Sequence, residues 1–511
     1  MPDTGPLTVS ADLDRYRLRA LIERLNQAGE VQVITDNVPL VDLAKYIDGN
    51  PKAVWFKNVG PEGAELVANV GGTRKRIAFA LGCEERDLMK FQSDRFRQPI
   101  APVEVSRERA PVQQVVLTGD DADFTKLPVH LQHGEDGGPY ISATIDIVQD
   151  PDSGYRNLGI RRFMLRGRKT AGLDMNAPSD LRAIYQKHLS RGGKKFPIAV
   201  AVGSHTSYYV AAMGFAPPQD EYGLVGALRG QPASVVKGVT VDLPVPADAE
   251  YVLEGYLDEH GWSEPEGPYG EYLGYYGKLK MNPVFHLTAI THRRDALFQT
   301  IAISGRALEV SETTQYGALR TEVAVWDALK MAVREPVAVY CPPGGGGMYN
   351  IRAAIRQRVP GEARNAIMAA FGSFAEIKHI FVVDDDIDVY NDNQIDWALA
   401  TRFQADRDLV VASGMRSIPL DPSLVGSRLG AKAGFDLTIP FSERGKLEFT
   451  VPEPPKLKKV PKKSVHDALA EGPKTFRELM EAANSNDGRD VVIELEKLGA
   501  KRDDVGRYLL A

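Results

Sequence analysis

Glu266 and Glu271 stand five residues apart in Glu266-Gly-Pro-Tyr-Gly-Glu271, followed by Tyr-Leu-Gly-Tyr-Tyr-Gly. A straight strand would send residues at that spacing to opposite faces, and a helix would hold them well over about 90° apart. Two glycines and a proline between them let the chain turn, so both carboxylates can converge on one cavity. Converged carboxylates repel, which raises the pKa of one and equips it as a proton donor. A polar turn carrying two solvated glutamates has the same spacing.

A second set is Asn157-Leu-Gly-Ile-Arg-Arg162, on a predicted strand with Gly159 as a bulge that re-aims a side chain. Asn157 brings a hard carbonyl ligand, and Arg162 a cationic fork suited to a carboxylate. A strand-end asparagine with surface arginines is the plain alternative. Glu221 follows Asp220 and a loop containing Pro217 and Pro218. It can complete an oxygen-ligand site for Mg2+ or Mn2+, or stand as an ordinary loop carboxylate.

Three other features are read as structural. The run Gly344–Gly347 lacks the Lys-Ser/Thr that follows in a phosphate loop and is expected to be a flexible loop. Asp384-Asp-Asp-Ile-Asp388 follows an apolar strand and is expected to cap the next helix rather than hold metal. Among nine histidines none pairs at a metal-ligand spacing; His286 and His292 share strand parity and are taken as structural.

These groups need elements to position them. Leu18, Leu21, Ile22 and Leu25 recur at helical spacing and predict a helix over 13–28. Strands at 31–35 and 53–59 around a short helix suggest a βαβ-like unit, with helices at 74–81 and 84–90. From about residue 112 strands dominate, at 112–119, 141–150, 156–165, 197–203, 234–245, 250–257 and 284–293, with one helix at 180–190. Many short strands around one or two helices read as a β-barrel or sandwich inserted in an α/β protein. Helices return after Glu309, at 313–330, 363–374 and 393–403, around a strand at 377–388. A Pro- and Lys-rich linker at 451–463 precedes a small helical appendage.

The chain has 511 residues, more than one core usually fills, and a net charge of −6 with scattered basic residues. Nucleic acid is therefore not expected as a ligand, and the Lys456–Lys463 cluster reads as a solvated linker. Two cysteines, Cys83 and Cys341, cannot staple such a chain and form no Cys-x-x-Cys, so a reducing, cytoplasmic compartment is expected. The amino-terminal stretch has no apolar signal core, and apolar runs are strand-length, so neither secretion nor a membrane span is expected.

Taken in order, Asn157 with Arg162, then Glu221, then Glu266 with Glu271, resemble the UbiD-type reversible decarboxylases. The resemblance extends to Gly137-Gly-Pro-Tyr-Ile, Val383-Asp-Asp-Asp-Ile-Asp, Trp397-Ala-Leu-Ala-Thr-Arg402 and Gly430-Ala-Lys-Ala-Gly-Phe-Asp436, covering roughly residues 10 to 450. It implies prenylated FMN, held through Mn2+ (or Mg2+) and a neighbouring K+. Position by position, it makes Arg162, Glu266 and Glu271 catalytic, and Asn157, Glu221 and Asp180 metal ligands. Asp180 falls where cinnamic acid decarboxylases have a histidine; His188 is the substitute. Asn157, Gly159, Ile160, Arg161, Arg162, Ser179 and Lys432 are the implied cofactor contacts.

The implied chemistry is decarboxylation of an aromatic, heteroaromatic or α,β-unsaturated (cinnamate-like) acid through a covalent flavin–substrate adduct. Arg162 holds the leaving carboxylate, and Glu271 reprotonates the carbon once CO2 departs. Such chemistry needs a cofactor, because no side chain can delocalise the carbanion that remains. A flavin prenyltransferase as cofactor supplier and a homodimer or higher assembly are also implied. Two rival readings are a glycoside hydrolase using Glu266 and Glu271, with Tyr272, Tyr275 and Tyr276 as sugar platforms, and a non-catalytic flavin-binding or assembly protein.

The expected fold is α/β plus β. Its parts are an N-terminal α/β unit (1–115), a central split β-barrel flavin-binding domain (116–310), a C-terminal α/β domain with a connecting helix (311–450), and a linker with a small helical, winged-helix-like appendage (451–511).

Overall fold

The computed structural model describes residues 13–214, 220–301, 303, 305 and 307–511. The Pro217–Pro218 loop lies outside the described residues. Two compact units divide the chain, Met1–Phe441 and Ser442–Ala511.

The first helix spans Leu18–Gln27 and buries Leu18, Leu21, Ile22 and Leu25 completely on its apolar stripe. It starts five residues later than its periodicity suggests. Arg17 is extended and places its guanidinium 2.9 Å from both Glu250 and Asp295, which holds the chain out of the helix. Strands Val31–Ile34 and Ala53–Val59 pair in parallel around a short helix at Leu43–Ile47, as the βαβ reading expected. Ala64–Ala68 continues the sheet, and a fourth strand, Phe298–Gln299, arrives from far along the chain. Arg74–Leu81 is a helix as predicted, capped by Thr73 and ended by Gly82 at φ 75°. The segment expected as a helix at 84–90 is a 3-10 turn at Glu85–Asp87 running into a helix at Leu88–Arg95.

The central sheet has nine strands, all antiparallel to their neighbours. Its order runs from Tyr140–Ile141 through Phe163–Leu165, Thr170–Leu173, Val284–His292, Tyr251–Asp258, Lys195–Val202 and Thr144–Gln149 to Arg156–Gly159, with Val115–Thr118 beside 284–292. Arg156–Gly159 is the last strand in that order and Phe163–Leu165 the second, yet only residues 160–162 join them. Four Cα steps reach at most about 14 Å. The sheet must therefore curl until its two margins nearly meet, which makes it a split barrel with residues 160–162 bridging the seam.

The prediction of one strand over 156–165 is thus corrected. Gly159 is also not a bulge: the register with Thr144–Gln149 is unbroken, with Gly159 opposite Asp146. A Cβ there would lie 2.8 Å from the Asp146 carboxylate oxygens and 2.0 Å from Arg161 Nη1. Glycine at 159 leaves room for the Arg161–Asp146 ion pair (Nη1–Oδ2 2.6 Å) at the strand end.

Two helices of the central region are not expected from the sequence, Thr206–Ala212 and Glu221–Arg229. Every residue of the second from Glu221 to Leu228 is buried, so it has no polar face to make a 3.6-residue period. Tyr208 and Tyr209 in the first are buried too, and an aromatic, all-buried run looks like a strand.

Beyond the barrel, the Glu312–Ala332 helix leads to a five-stranded mixed sheet. Its order is Pro336–Tyr340, Asn350–Ile355, His379–Asp384, Leu429–Asp436, Leu409–Arg416, with helices at Glu362–Ser373 and Asp392–Arg402. The glycine run at 344–347 is a packed 3-10 turn rather than a free loop. Gly345 to Gly347 are buried, and a Cβ on Gly347 would meet the Thr314 carbonyl at 2.2 Å. The Asp384–Asp388 string does not cap the following helix; Asn391 does, accepting from Gln394 N. Asp384 accepts from Ile439 N, and Asp386 pairs with Arg402.

The unit 442–511 has no regular structure over 451–463, then helices at Val465–Ala470, Phe476–Ala483 and Gly488–Lys497 and a hairpin of Lys501–Arg502 with Tyr508–Leu509. Leu469, Leu479, Val491 and Leu495 form its own small core. No described helix is long and apolar enough to cross a membrane.

Candidate active site

The seam segment, counted with the strand end before it as residues 157–162, carries two clusters. At its start, Asn157 is buried, with Nδ2 donating to Glu221 Oε2 at 3.1 Å and Oδ1 left without a partner among the described residues. Glu221 is no loop residue. It opens the Glu221–Arg229 helix, which Asp220 caps, and it also accepts from Leu158 N. Burial pushes its carboxyl up to about 8. Tyr155 Oη lies 3.0 Å from Glu221 Oε1 and 3.4 Å from Asp180 Oδ2. Asp180 opens the helix Asp180–Ser190, which Ser179 caps by accepting from Arg182 N.

The structure therefore brings Asn157, Glu221 and Asp180 together around one phenol. No group of three or more His, Cys, Asp or Glu forms a metal cluster among the described residues. The set here is two carboxylates and an amide oxygen. An orphaned buried carbonyl beside a buried carboxyl fits a hard divalent cation. His188 stands apart. Its ring packs against Phe196 at 5.3 Å, Nε2 has no partner, and no contact joins it to Glu221 among the described residues.

At the other end of the segment lies Arg162. Its Nε and Nη2 grip Glu266 (2.9 and 3.3 Å), Nη1 meets Glu271 Oε2 at 3.0 Å, and Nη2 meets Asp174 Oδ2 at 3.0 Å. Its guanidinium carbon sits 4.4 Å from the centre of the Tyr269 ring. Lys280 Nζ is 3.2 Å from Glu271 Oε1, and Asn282 Nδ2 donates to Glu266 Oε2 at 3.1 Å. Burial opposes the arginine's charge, but Asp174, Glu271 and Glu266 together hold the guanidinium protonated well above its ordinary range. Burial likewise opposes ionisation of Asp174, and Arg162 and Lys280 overcome it.

The expected turn is present: Gly267 has φ 98°, and both carboxylates converge. The loop that leads into the Tyr140–Ile141 strand clamps it, with Gly270 N donating to Asp136 Oδ1 and Gly137 N to the Pro268 carbonyl. A Cβ on Gly137 would come within 2.2 Å of the Gly267 carbonyl oxygen. What the sequence argument expected as a repelling pair is instead a pair shared by one arginine, with a lysine on Glu271; the cations offset the repulsion.

Asp174, Lys280 and Asn282 were missed. Lys280 and Asn282 lie on the strand Lys280–Asn282 two residues apart and so on one face, which is the signal available for them. Asp174 follows the strand Thr170–Leu173 and has no local motif. Lys432 is buried on Leu429–Asp436, its Nζ donating to the carbonyls of Phe371, Phe374 and Ala375 at the end of the 362–373 helix. Burial lowers its ammonium to about 8. Ile160 packs against the central core, and Arg161 N donates to Thr144 Oγ1 on the neighbouring strand. His286 pairs with Asp258 and stacks on Tyr256, and His292 stacks on Tyr251, both structural as expected.

Three family models match consecutive stretches. They are the 3-octaprenyl-4-hydroxybenzoate carboxy-lyase N-terminal domain over 22–96, its Rift-related domain over 103–307 and its C-terminal domain over 314–437. The chain belongs to the UbiD family. It is thus a carboxy-lyase, and the UbiD resemblance of its motifs holds over most of its length. Solved UbiD structures agree. The UbiD-class enzyme HmfF from Pelotomaculum thermopropionicum, in complex with FMN, is 33% identical with a TM-score of 0.81, covering 87% of this chain and 99% of that one. The 3,4-dihydroxybenzoic acid decarboxylase AroY of Klebsiella pneumoniae is 28% identical with a TM-score of 0.79, covering 87% and 98%. Vanillic acid decarboxylase of Sedimentibacter hydroxybenzoicus, in open form, is 28% identical with a TM-score of 0.77, covering 86% and 96%. UbiD membership sets aside the glycoside-hydrolase reading. The geometry agrees, since Glu266 and Glu271 share a guanidinium instead of facing each other across an open gap.

Proposed function

We propose that this UbiD-family protein is a prenylated-FMN-dependent reversible decarboxylase of a small aromatic, heteroaromatic or cinnamate-like acid. The observation that carries this reading is Arg162 held within hydrogen-bond distance of both Glu266 and Glu271. The cofactor's phosphate would be held through Mn2+ or Mg2+ by Asn157, Glu221 and Asp180, with K+ nearby. Gly159, Ile160, Arg161, Ser179 and Lys432 complete the proposed cradle. The orphaned Asn157 oxygen supports this assignment, because a buried carbonyl without a partner is costly unless something fills it. Bound prenylated FMN supplies the electron sink that side chains lack.

In this reading Arg162 binds and orients the substrate carboxylate. Glu266, held by Asn282, fixes the plane of the guanidinium, and the Tyr269 ring backs it. Glu271 delivers a proton to the carbon that has lost CO2, and takes it back in the carboxylation direction. Both glutamates are buried and the Arg162 side chain is largely shielded, so each charge is screened less than it would be in bulk water. Glu271, in place of the aspartate that ubiquinone-pathway members carry, favours small ring acids over polyprenyl hydroxybenzoates. The aromatic acids named for AroY and vanillic acid decarboxylase point the same way.

The test is co-expression with a flavin prenyltransferase, followed by a screen of aromatic, heteroaromatic and cinnamate-like acids for CO2 release and H/D exchange. A flavin-type visible spectrum with turnover of at least one acid is expected. Bound cofactor with neither CO2 release nor exchange from any acid would favour the non-catalytic flavin-binding reading.

A further inference from the structure

The guanidinium of Arg162 is crowded. Of its five N–H groups, Nε and one on Nη2 serve Glu266, the second on Nη2 serves Asp174, and one on Nη1 serves Glu271. A substrate carboxylate needs two parallel donors for the bidentate grip that makes arginine useful, and only one N–H is left. Some resident carboxylate must yield.

Asp174 is built to do so. Its Oδ1 is anchored by Asn176 Nδ2 at 3.2 Å and Asn282 Nδ2 at 3.4 Å. Its Oδ2 lies between two cations, 3.0 Å from Arg162 Nη2 and 3.7 Å from Lys280 Nζ. Glu266 cannot play this part, because it holds two guanidinium nitrogens and is fully buried. Side-chain exposure of Asp174 and Lys280 is 20% and 23%, against 9% for Arg162, so this pair forms the open side of the cluster.

We infer that Asp174 is a resident stand-in for the substrate carboxylate, occupying the outer Nη2 position of Arg162 and passing to Lys280 when the acid binds. A shift of its Oδ2 by less than the width of an atom exchanges one ion pair for the other. Asp174 and the incoming acid then each rest on a cation, although the acid adds a fourth carboxylate to a cluster of two cations and three carboxylates. Lys280 meanwhile keeps its contact with Glu271, so the proposed proton donor stays in register during the exchange. Asp174 acts through Arg162 and is a specificity-determining residue: it sets how strongly a carboxylate must bind before the site accepts it. This inference rests on the decarboxylase reading above.

The test compares wild type, Asp174→Asn and Lys280→Met in the cofactor-loaded enzyme, with benzoate as a competing carboxylate. Asp174→Asn should lower KM for the acid and Ki for benzoate together, each by about tenfold, with no gain in kcat. Lys280→Met, with its fold checked by circular dichroism, should raise both by about fivefold, because Asp174 then has no alternative partner. A KM and Ki unchanged or raised in Asp174→Asn, or lowered in Lys280→Met, would overturn the exchange. Should Asp174→Asn fail to fold by circular dichroism, the sign of the Lys280→Met effect decides alone. If wild type releases no CO2 from any acid, the decarboxylase reading fails, and benzoate line broadening in the cofactor-free protein decides this one separately. At least fivefold tighter binding in Asp174→Asn sustains it; equal binding, or none in either protein, overturns it.

Discussion

The two ends of the seam segment differ in how complete they are. Around Arg162 three carboxylates, a lysine and an asparagine satisfy one another, and every acid there touches a cation. Around Asn157 the balance fails: among the described residues a buried amide oxygen has no partner, two acids share a phenol, and no cation contacts Glu221. One region is a finished charge network that a substrate must enter by exchange. The other is an unfinished one whose missing charge a divalent ion would supply. Burial resists the ionisation of Glu221, and the amide oxygen beside it is costly to leave unpaired, so this difference points to a ligand rather than to a defect.

The largest effect that sharpens the contrast is expected at Glu271. Glu271→Gln keeps the shape and removes the proton, so turnover should fall by at least about 10²-fold while flavin absorbance in the purified protein stays. Near-wild-type CO2 release in that variant would strip Glu271 of its assigned role. At the opposite end, Glu221→Ala should weaken metal retention by about 10- to 100-fold, read by elemental analysis after dialysis against chelator. Unchanged metal content would mean that the unfinished region is not a cation site.

Gly159 lies between the two regions. Gly159→Ala drives a methyl group into the Arg161–Asp146 pair and should cost about 2 kcal/mol in denaturant unfolding. The smallest effect concerns pH. His130 backs the charged end, its carbonyl accepting from Tyr140 N, whose ring lies 4.3 Å from Tyr269. Burial lowers its imidazole to about 4. As pH falls through the ordinary histidine range the unfolded chain takes up this proton first, so stability drops with acidity and keeps dropping until the folded pKa is reached. About 1 kcal/mol should be lost between roughly pH 6.5 and pH 5.5. His205, lowered further by burial and by nearby arginines, adds in the same direction. Urea midpoints that do not move over that interval would show that neither histidine is buried neutral.

Legibility in the sequence followed amphipathicity. The helices at 74–81 and 180–190 and the strand at 53–59 match their expected limits, because each has local caps or an apolar run bounded by breakers. The Glu221–Arg229 helix escaped notice because it is buried on all sides, and with it the fact that Glu221 stands at a helix start. The break between Gly159 and Phe163 was hidden for another reason. Nothing in ten residues of strand-like sequence says that the two halves belong to opposite margins of a sheet.

Residue types and order were enough to assemble Asn157, Arg162, Glu221, Glu266 and Glu271 into one chemistry and one family, because glycine, proline and carboxylate spacing act locally along the chain. Only the tertiary structure decided who neutralises whom. It put Asp174, Lys280 and Asn282 beside Arg162 and left the Asn157 oxygen alone. Coulomb energies depend on distance through space, and curling the barrel brings together charges that lie more than a hundred residues apart in sequence.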